Sequence, residues 1–178
     1  MAHEHSVHDT DKHFAIDINT RKIKKQSIDK VVLIQNDHNS ERFTFEIPRY
    51  IDGHDMSLCN KVEVHYVNLD ETEMVSSPGV YEVTDLQVSP KSDTVVICSW
   101  LISRNATKYI GSLHFSLRFA CVTGDDVDYD WRTGICSDYS ISESLFSADS
   151  GYAPFIPDEF ITKNELAALI EAIKNGTY

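Results

Sequence analysis

Between residues 12 and 146 apolar and polar side chains alternate with a period of two, the repeat of an extended chain lying half in and half out of a core. In Arg42-Phe43-Thr44-Phe45-Glu46-Ile47 the apolar Phe43, Phe45 and Ile47 share one side. Ser112 to Val122 carries the pattern furthest, with Leu113, Phe115, Leu117, Phe119 and Cys121 facing one way and His114, Ser116 and Arg118 the other. Lys61 to Val67 sets Val62, Val64 and Tyr66 against Glu63 and His65. Thr94 to Ile102 is apolar on both sides, which predicts cover on both faces and a place in the middle of a sheet. Further strands are predicted over residues 14–18, 31–34, 80–88, 127–133 and 135–141.

Turn-forming residues separate these segments: Asn36 to Asn39, Asp52-Gly53, Ser77-Pro78-Gly79, Ser89 to Asp93, Arg104-Asn105 and Gly124-Asp125. About eight short strands with turns at this spacing predict an all-β fold, an antiparallel β-sandwich. Residues 1–11 carry His3, His5 and His8 without periodicity and are expected to form a disordered tail; the sandwich spans 12–146. Residues 147–161 are a connector rich in Ser, Pro and aromatics. The period then changes. Thr162-Lys163-Asn164-Glu165 is a capping box, and Leu166, Leu169, Ile170 and Ile173 fall on one stripe of a predicted helix over 162–175. A helix this short does not persist alone in water, so the stripe is predicted to pack either on its own sandwich or on other copies of the chain.

Composition narrows the possible functions. The chain has 178 residues, enough to bury roughly 70% of its unfolded surface without staples. Its formal charge of −12 is the wrong sign for gripping a phosphate backbone, so no nucleic-acid partner is expected. The longest apolar runs, Val31 to Ile34 and Val95 to Cys98, fall far short of a membrane span, and the N-terminus lacks the apolar core of a signal peptide. The four cysteines, at 59, 98, 121 and 136, have no metal-site spacing and are read as reduced thiols.

Candidate chemistry is sparse. No nucleophile elbow, phosphate loop, dinucleotide fingerprint or His-Glu-x-x-His helix occurs, so no catalytic residue, cofactor or metal site is assigned and the chain is not expected to be an enzyme. Asp126, Asp128 and Asp130 match the first three ligand positions of a calcium loop. Trp131 and Ser137, however, stand where such a loop needs glycine and a bidentate glutamate, and a solvated strand face is favoured. His38 with Asp37, Glu41 and Arg42 reads as a polar turn. His65 and His114 read as surface histidines on polar strand faces. Cys98 and Cys121 both fall on core-directed sides, where packing is favoured over a bridge. Asn105-Ala106-Thr107 is a glycosylation sequon by pattern. Tyr50, Tyr109, Tyr129 and Trp131 are the candidates for an aromatic sugar-binding platform.

Several segments in order resemble one known family. They are Phe14-Ala15-Ile16-Asp17-Ile18-Asn19-Thr20-Arg21; Arg42 through Ser57, with Ile47-Pro48-Arg49-Tyr50 and Asp52-Gly53; Val64-His65-Tyr66-Val67-Asn68; and Ser99-Trp100-Leu101-Ile102 running into Arg104 through Gly111. Over residues 12–145 this set resembles the N-terminal domain of the baseplate upper protein of tailed phages infecting Gram-positive bacteria. The resemblance implies a β-sandwich building block without catalysis, a component of a phage or prophage tail or baseplate whose partners are other tail proteins. It implies a place in the virion after synthesis in the bacterial cytoplasm. Family members often continue into an oligomerising linker and a distal module; here the chain stops after one helix, so a small structural subunit or a truncated product is expected. Three copies meeting at Leu166, Leu169, Ile170 and Ile173 would make a trimer. The alternative is a carbohydrate-binding β-sandwich module.

Overall fold

The computed structural model describes residues 12–26 and 31–143. The predicted tail, connector and helix lie outside the described residues, and so do Leu166, Leu169, Ile170 and Ile173 with the trimer built on them.

Among the described residues the strands are β1 (Lys12–Asp17), β2 (Lys22–Lys25), β3 (Leu33–Ile34), β4 (Arg42–Pro48), β5 (Tyr50–Ile51), β6 (His54–Asp55), β7 (Lys61–Asp70), β8 (Val75–Val83), β9 (Gln87–Val88), β10 (Val95–Leu101), β11 (Gly111–Thr123), β12 (Asp126–Arg132) and β13 (Cys136–Ser142). They form a five-stranded sheet in the order β2-β1-β4-β10-β9 and a larger sheet in the order β3-β13-β11-β7-β8, with β12 also on β11. A small β5–β6 hairpin stands apart from both.

The fold is all-β as predicted, but the sheets are mixed, which corrects the antiparallel expectation: β1 runs parallel to β4, and β13 parallel to β3. After β1 the chain turns back as β2, contributes β3 to the other sheet, and returns beside β1 as β4 in β1's own direction. Period-two alternation is the same in parallel and antiparallel strands, so it carries no information on direction.

Alternation does locate the core. Phe43, Phe45 and Ile47 of β4, Val62, Val64 and Tyr66 of β7, and Leu113, Phe115, Leu117 and Phe119 of β11 are all buried. Aromatic rings join the two sheets. Across the core Phe43 is tilted against Phe115 at 5.9 Å and Tyr66 stacks on Trp100 at 5.2 Å, while within its own sheet Phe43 lies edge-on to Trp100 at 5.8 Å. Such pairs contribute roughly 0.5–1.5 kcal/mol each beyond burial of their area.

Three strand expectations change. Residues 80–88 are two strands in different sheets, because the chain crosses over at Thr84-Asp85-Leu86. Asp85 fixes the crossing by accepting the Ser99 backbone N–H (2.9 Å) and the Ser99 hydroxyl, and Arg42 donates to that same hydroxyl (2.7 Å). Ser77-Pro78-Gly79 lies inside β8 and makes no turn; a proline is tolerated there because β8 is the edge of its sheet. β10 has neighbours on both sides, but one is the two-residue β9, so it lies beside the sheet edge and its second face is half-buried.

Local chemistry fixes the joints. Asp52 and Gly53 both have positive φ (51° and 83°), the backbone of a type I′ hairpin turn between β5 and β6. β11 is flanked by β13 over its first part and by β12 over its last, and Leu117 falls at the junction. Thr133 closes that gap: its hydroxyl accepts the Leu117 N–H (2.9 Å), and its own N–H donates to the Leu117 carbonyl (3.0 Å).

Candidate functional site

The outer face of the larger sheet is where the fold gathers chemistry-bearing side chains that the core does not use. Register builds it row by row. Pro78, Val67 and His114 face each other across β8, β7 and β11, and the next row is Val80, His65 and Ser116. The row after that is Glu82, Glu63, Arg118 and, on β12, Arg132. Two regions result on one surface.

The first is apolar and histidine-bearing. Val80 is 57% exposed and Ile135 74% exposed. Ile135 joins His65, Val67, His114 and Ser116 around a shallow depression. His114 is held between the Ser137 hydroxyl at Nδ1 (2.8 Å) and the Ser112 hydroxyl at Nε2 (2.9 Å). His65 Nε2 lies 3.0 Å from the Glu63 carboxylate.

The second is an ion network. The Arg118 guanidinium donates to both Asp130 oxygens (2.8–3.1 Å) and to Glu63 (3.1 Å), and Arg132 adds two further bonds to Asp130. These bonds, Arg118 first and Arg132 second, hold the Asp130 carboxyl down at about 2. Burial pushes Glu63 upward, but hydrogen bonds from His65, Arg118 and Lys61 outweigh it and leave its pKa lowered. Arg118 in turn is pushed up by Asp130 and Glu63.

The network accounts for the acidic run. Asp130 belongs to Arg118 and Arg132, and Asp128 accepts the Thr123 hydroxyl (2.6 Å). A register shift between Cys121 and Val122 also breaks the alternation that would align Asp126, Asp128 and Asp130 on one side.

Other nominated residues fall into structural roles. Trp131 is 3% exposed, packed on Phe119 with the Arg21 guanidinium over its ring, so it offers no platform to a sugar. Tyr129 stacks on His54 at 4.0 Å, Tyr50 sits under Arg49, and Tyr109 under Lys108. The Asn105 side chain donates to the Tyr66 hydroxyl and the Pro78 carbonyl and accepts from Ser77, which commits the sequon amide to joining β7, β8 and the turn at Arg104–Thr107. His38 pairs with Asn39 and accepts the Arg104 N–H, as a polar turn does.

Cys121 meets Cys59 and not Cys98. Cys98 sits opposite Phe45 in the smaller sheet, whereas Cys121 Sγ lies 3.5 Å from Cys59 Sγ. Extending the β7–β11 register beyond Lys61 and Ala120 brings residues 59 and 121 to one corner, a signal that alternation alone does not contain.

The segments that carry the family resemblance become the framework of the fold. Trp100 is fully buried. Arg49 forms a two-oxygen pair with Asp55, which keeps the Asp55 carboxyl well below its usual range with help from Ser57 and braces the β5–β6 hairpin. The fully buried Asn68 accepts the Tyr109 N–H (2.6 Å) and donates to the Tyr109 and Ser112 carbonyls. Gly111, at φ 134°, lets the chain pass against the Leu69 carbonyl, where any Cβ would collide.

No family model matches this chain, and no curated protein matches it. Among solved structures it is similar to the N-terminal domain of phage TP901-1 ORF48, at 12% sequence identity and a TM-score of 0.40, over 75% of this chain and 97% of that one. Among the described residues no helix is long and apolar enough to cross a membrane.

Proposed function

We propose that the chain is a non-enzymatic structural component of a phage or prophage tail or baseplate, assembling with other tail proteins through protein–protein contacts in the virion. The observation that carries this reading is the role of the resembling segments. The residues they contribute, Trp100, Arg49, Asp52-Gly53, Asn68, Tyr109 and Gly111, are those that set turns, latch loops and fill the core. Similarity at framework positions is what a shared building block produces. The outer face of the larger sheet suits assembly, since it pairs exposed aliphatic side chains with a rim of fixed charges.

Quantitative mass spectrometry of purified particles from an induced lysate of the strain that carries the gene tests this. The chain is expected in particles, in the tail fraction, at a fixed ratio to the other tail proteins. Expression in the lysate with absence from particles would refute the proposal.

A further inference from the structure

Cys59 and Cys121 are 62 positions apart in sequence, yet their Sγ atoms lie 3.5 Å from each other. The backbones around them are clamped together. Asn60, next to Cys59, donates from Nδ2 to the Val122 carbonyl (2.8 Å) and accepts the Val122 N–H at Oδ1 (2.9 Å), so one side-chain amide holds the segment before β7 against the end of β11. The sulfurs have only to close from 3.5 Å to the about 2.05 Å of a disulfide, between backbones already held together. The two thiols differ in access, since Cys59 is 7% exposed and Cys121 is half-buried. The other cysteines are placed differently: Cys98 is buried opposite Phe45, and Cys136 is buried opposite Phe115.

We propose that Cys59 and Cys121 form a reversible intramolecular disulfide when the protein meets a peroxide, fastening the segment that follows the β5–β6 hairpin to β11. The more accessible Cys121 reacts first. Its sulfur displaces water from hydrogen peroxide and becomes a sulfenic acid. The Cys59 sulfur then attacks that sulfenic sulfur, the S–S bond forms, and the hydroxyl leaves as a second water with the Cys59 proton. Two thiols give up two electrons and two hydrogens, and one peroxide becomes two waters. Burial first, and then the neighbouring Cys121, push the Cys59 thiol up, which keeps Cys59 protonated and leaves the first reaction with peroxide to Cys121.

Treating the purified chain with hydrogen peroxide, denaturing it and counting thiols tests the proposal. The count is expected to fall from four to two, a Cys59–Cys121 linked peptide should appear on digestion, and a thiol reductant should restore four. In Cys59→Ser, which lacks the resolving thiol, Cys121 should instead be trapped as a sulfenic acid by a cyclic dione. A wild-type count that stays at four, or a linkage that uses Cys98 or Cys136 or joins two chains, would overturn it.

Discussion

The two faces of the larger sheet are made by the same strands and held by opposite physics. On the inner face of β7 and β11, Val62, Val64, Leu113, Phe115, Leu117 and Phe119 are excluded from water, and stability comes from burial and ring packing. On the outer face, Glu63, Arg118, Asp130 and Arg132 are held by charged hydrogen bonds beside the exposed Val80 and Ile135. Every second residue is held by a different set of forces, so one strand specifies the fold with half its side chains and leaves the other half facing solvent. Substitutions on the two faces should therefore fail in different ways.

The largest effect belongs to the inner layer. Phe115→Ala removes a ring that touches Phe43, Phe45, Trp100 and Tyr139, and should cost about 3–5 kcal/mol in urea unfolding. A loss under 1 kcal/mol would mean that the sheets are not joined by this cluster. Gly79→Ala adds a methyl where the Tyr66 ring lies, and that ring is backed by Trp100 and cannot retreat freely. About 1–3 kcal/mol should be lost, with a change in near-ultraviolet dichroism as the Tyr66–Trp100 stack opens.

On the outer face, Arg118→Met keeps most of the aliphatic stem but abandons two carboxylates, and about 1–2 kcal/mol is expected at neutral pH. The pH dependence sharpens this. The folded Asp130 carboxyl is held below its ordinary 3.8 at about 2, so its stabilisation is fully present above pH 4 and is lost as pH falls from about 4 to about 2. Glu63 is lowered as well and acts in the same direction. An acid titration of stability should be steeper for the wild type than for Arg118→Met in that window. Identical slopes would remove the network from the account. Smallest of all, Val80→Glu and Ile135→Asp should each change stability by no more than about 0.5 kcal/mol, because both side chains are mostly in water.

The inner layer was legible in the sequence because alternation reports burial directly; Phe43, Phe45, Ile47 and the β11 stripe all lie where the period puts them. Direction and neighbours were not legible. Nothing in Phe14-Ala15-Ile16 says that β1 lies parallel to β4, and Lys22–Lys25 offers one apolar side chain, Ile23, too little for a periodic signal. The crossing at Asp85 was hidden because Val80 to Val88 reads as one continuous stretch, and only a tertiary hydrogen bond to Ser99 shows where it breaks. The outer face was half legible. His65, His114 and Arg118 were each placed on polar strand faces, but their assembly with Asp130 and Ile135 depends on β12 and the loop before β13 both flanking β11. The Cys59–Cys121 contact was missed for the same reason, since it is set by register between strands.

The most direct test of the proposed assembly through the outer face is a surface-binding assay of the chain against each protein encoded by the genes flanking its own, tail proteins among them, alongside the Val80→Glu, Ile135→Asp double variant. The wild type should bind at least one of them, and the variant, with its circular dichroism and urea midpoint unchanged, should bind that protein at least tenfold more weakly. Undiminished binding by the folded variant, or no tail protein bound by the wild type, would contradict the account.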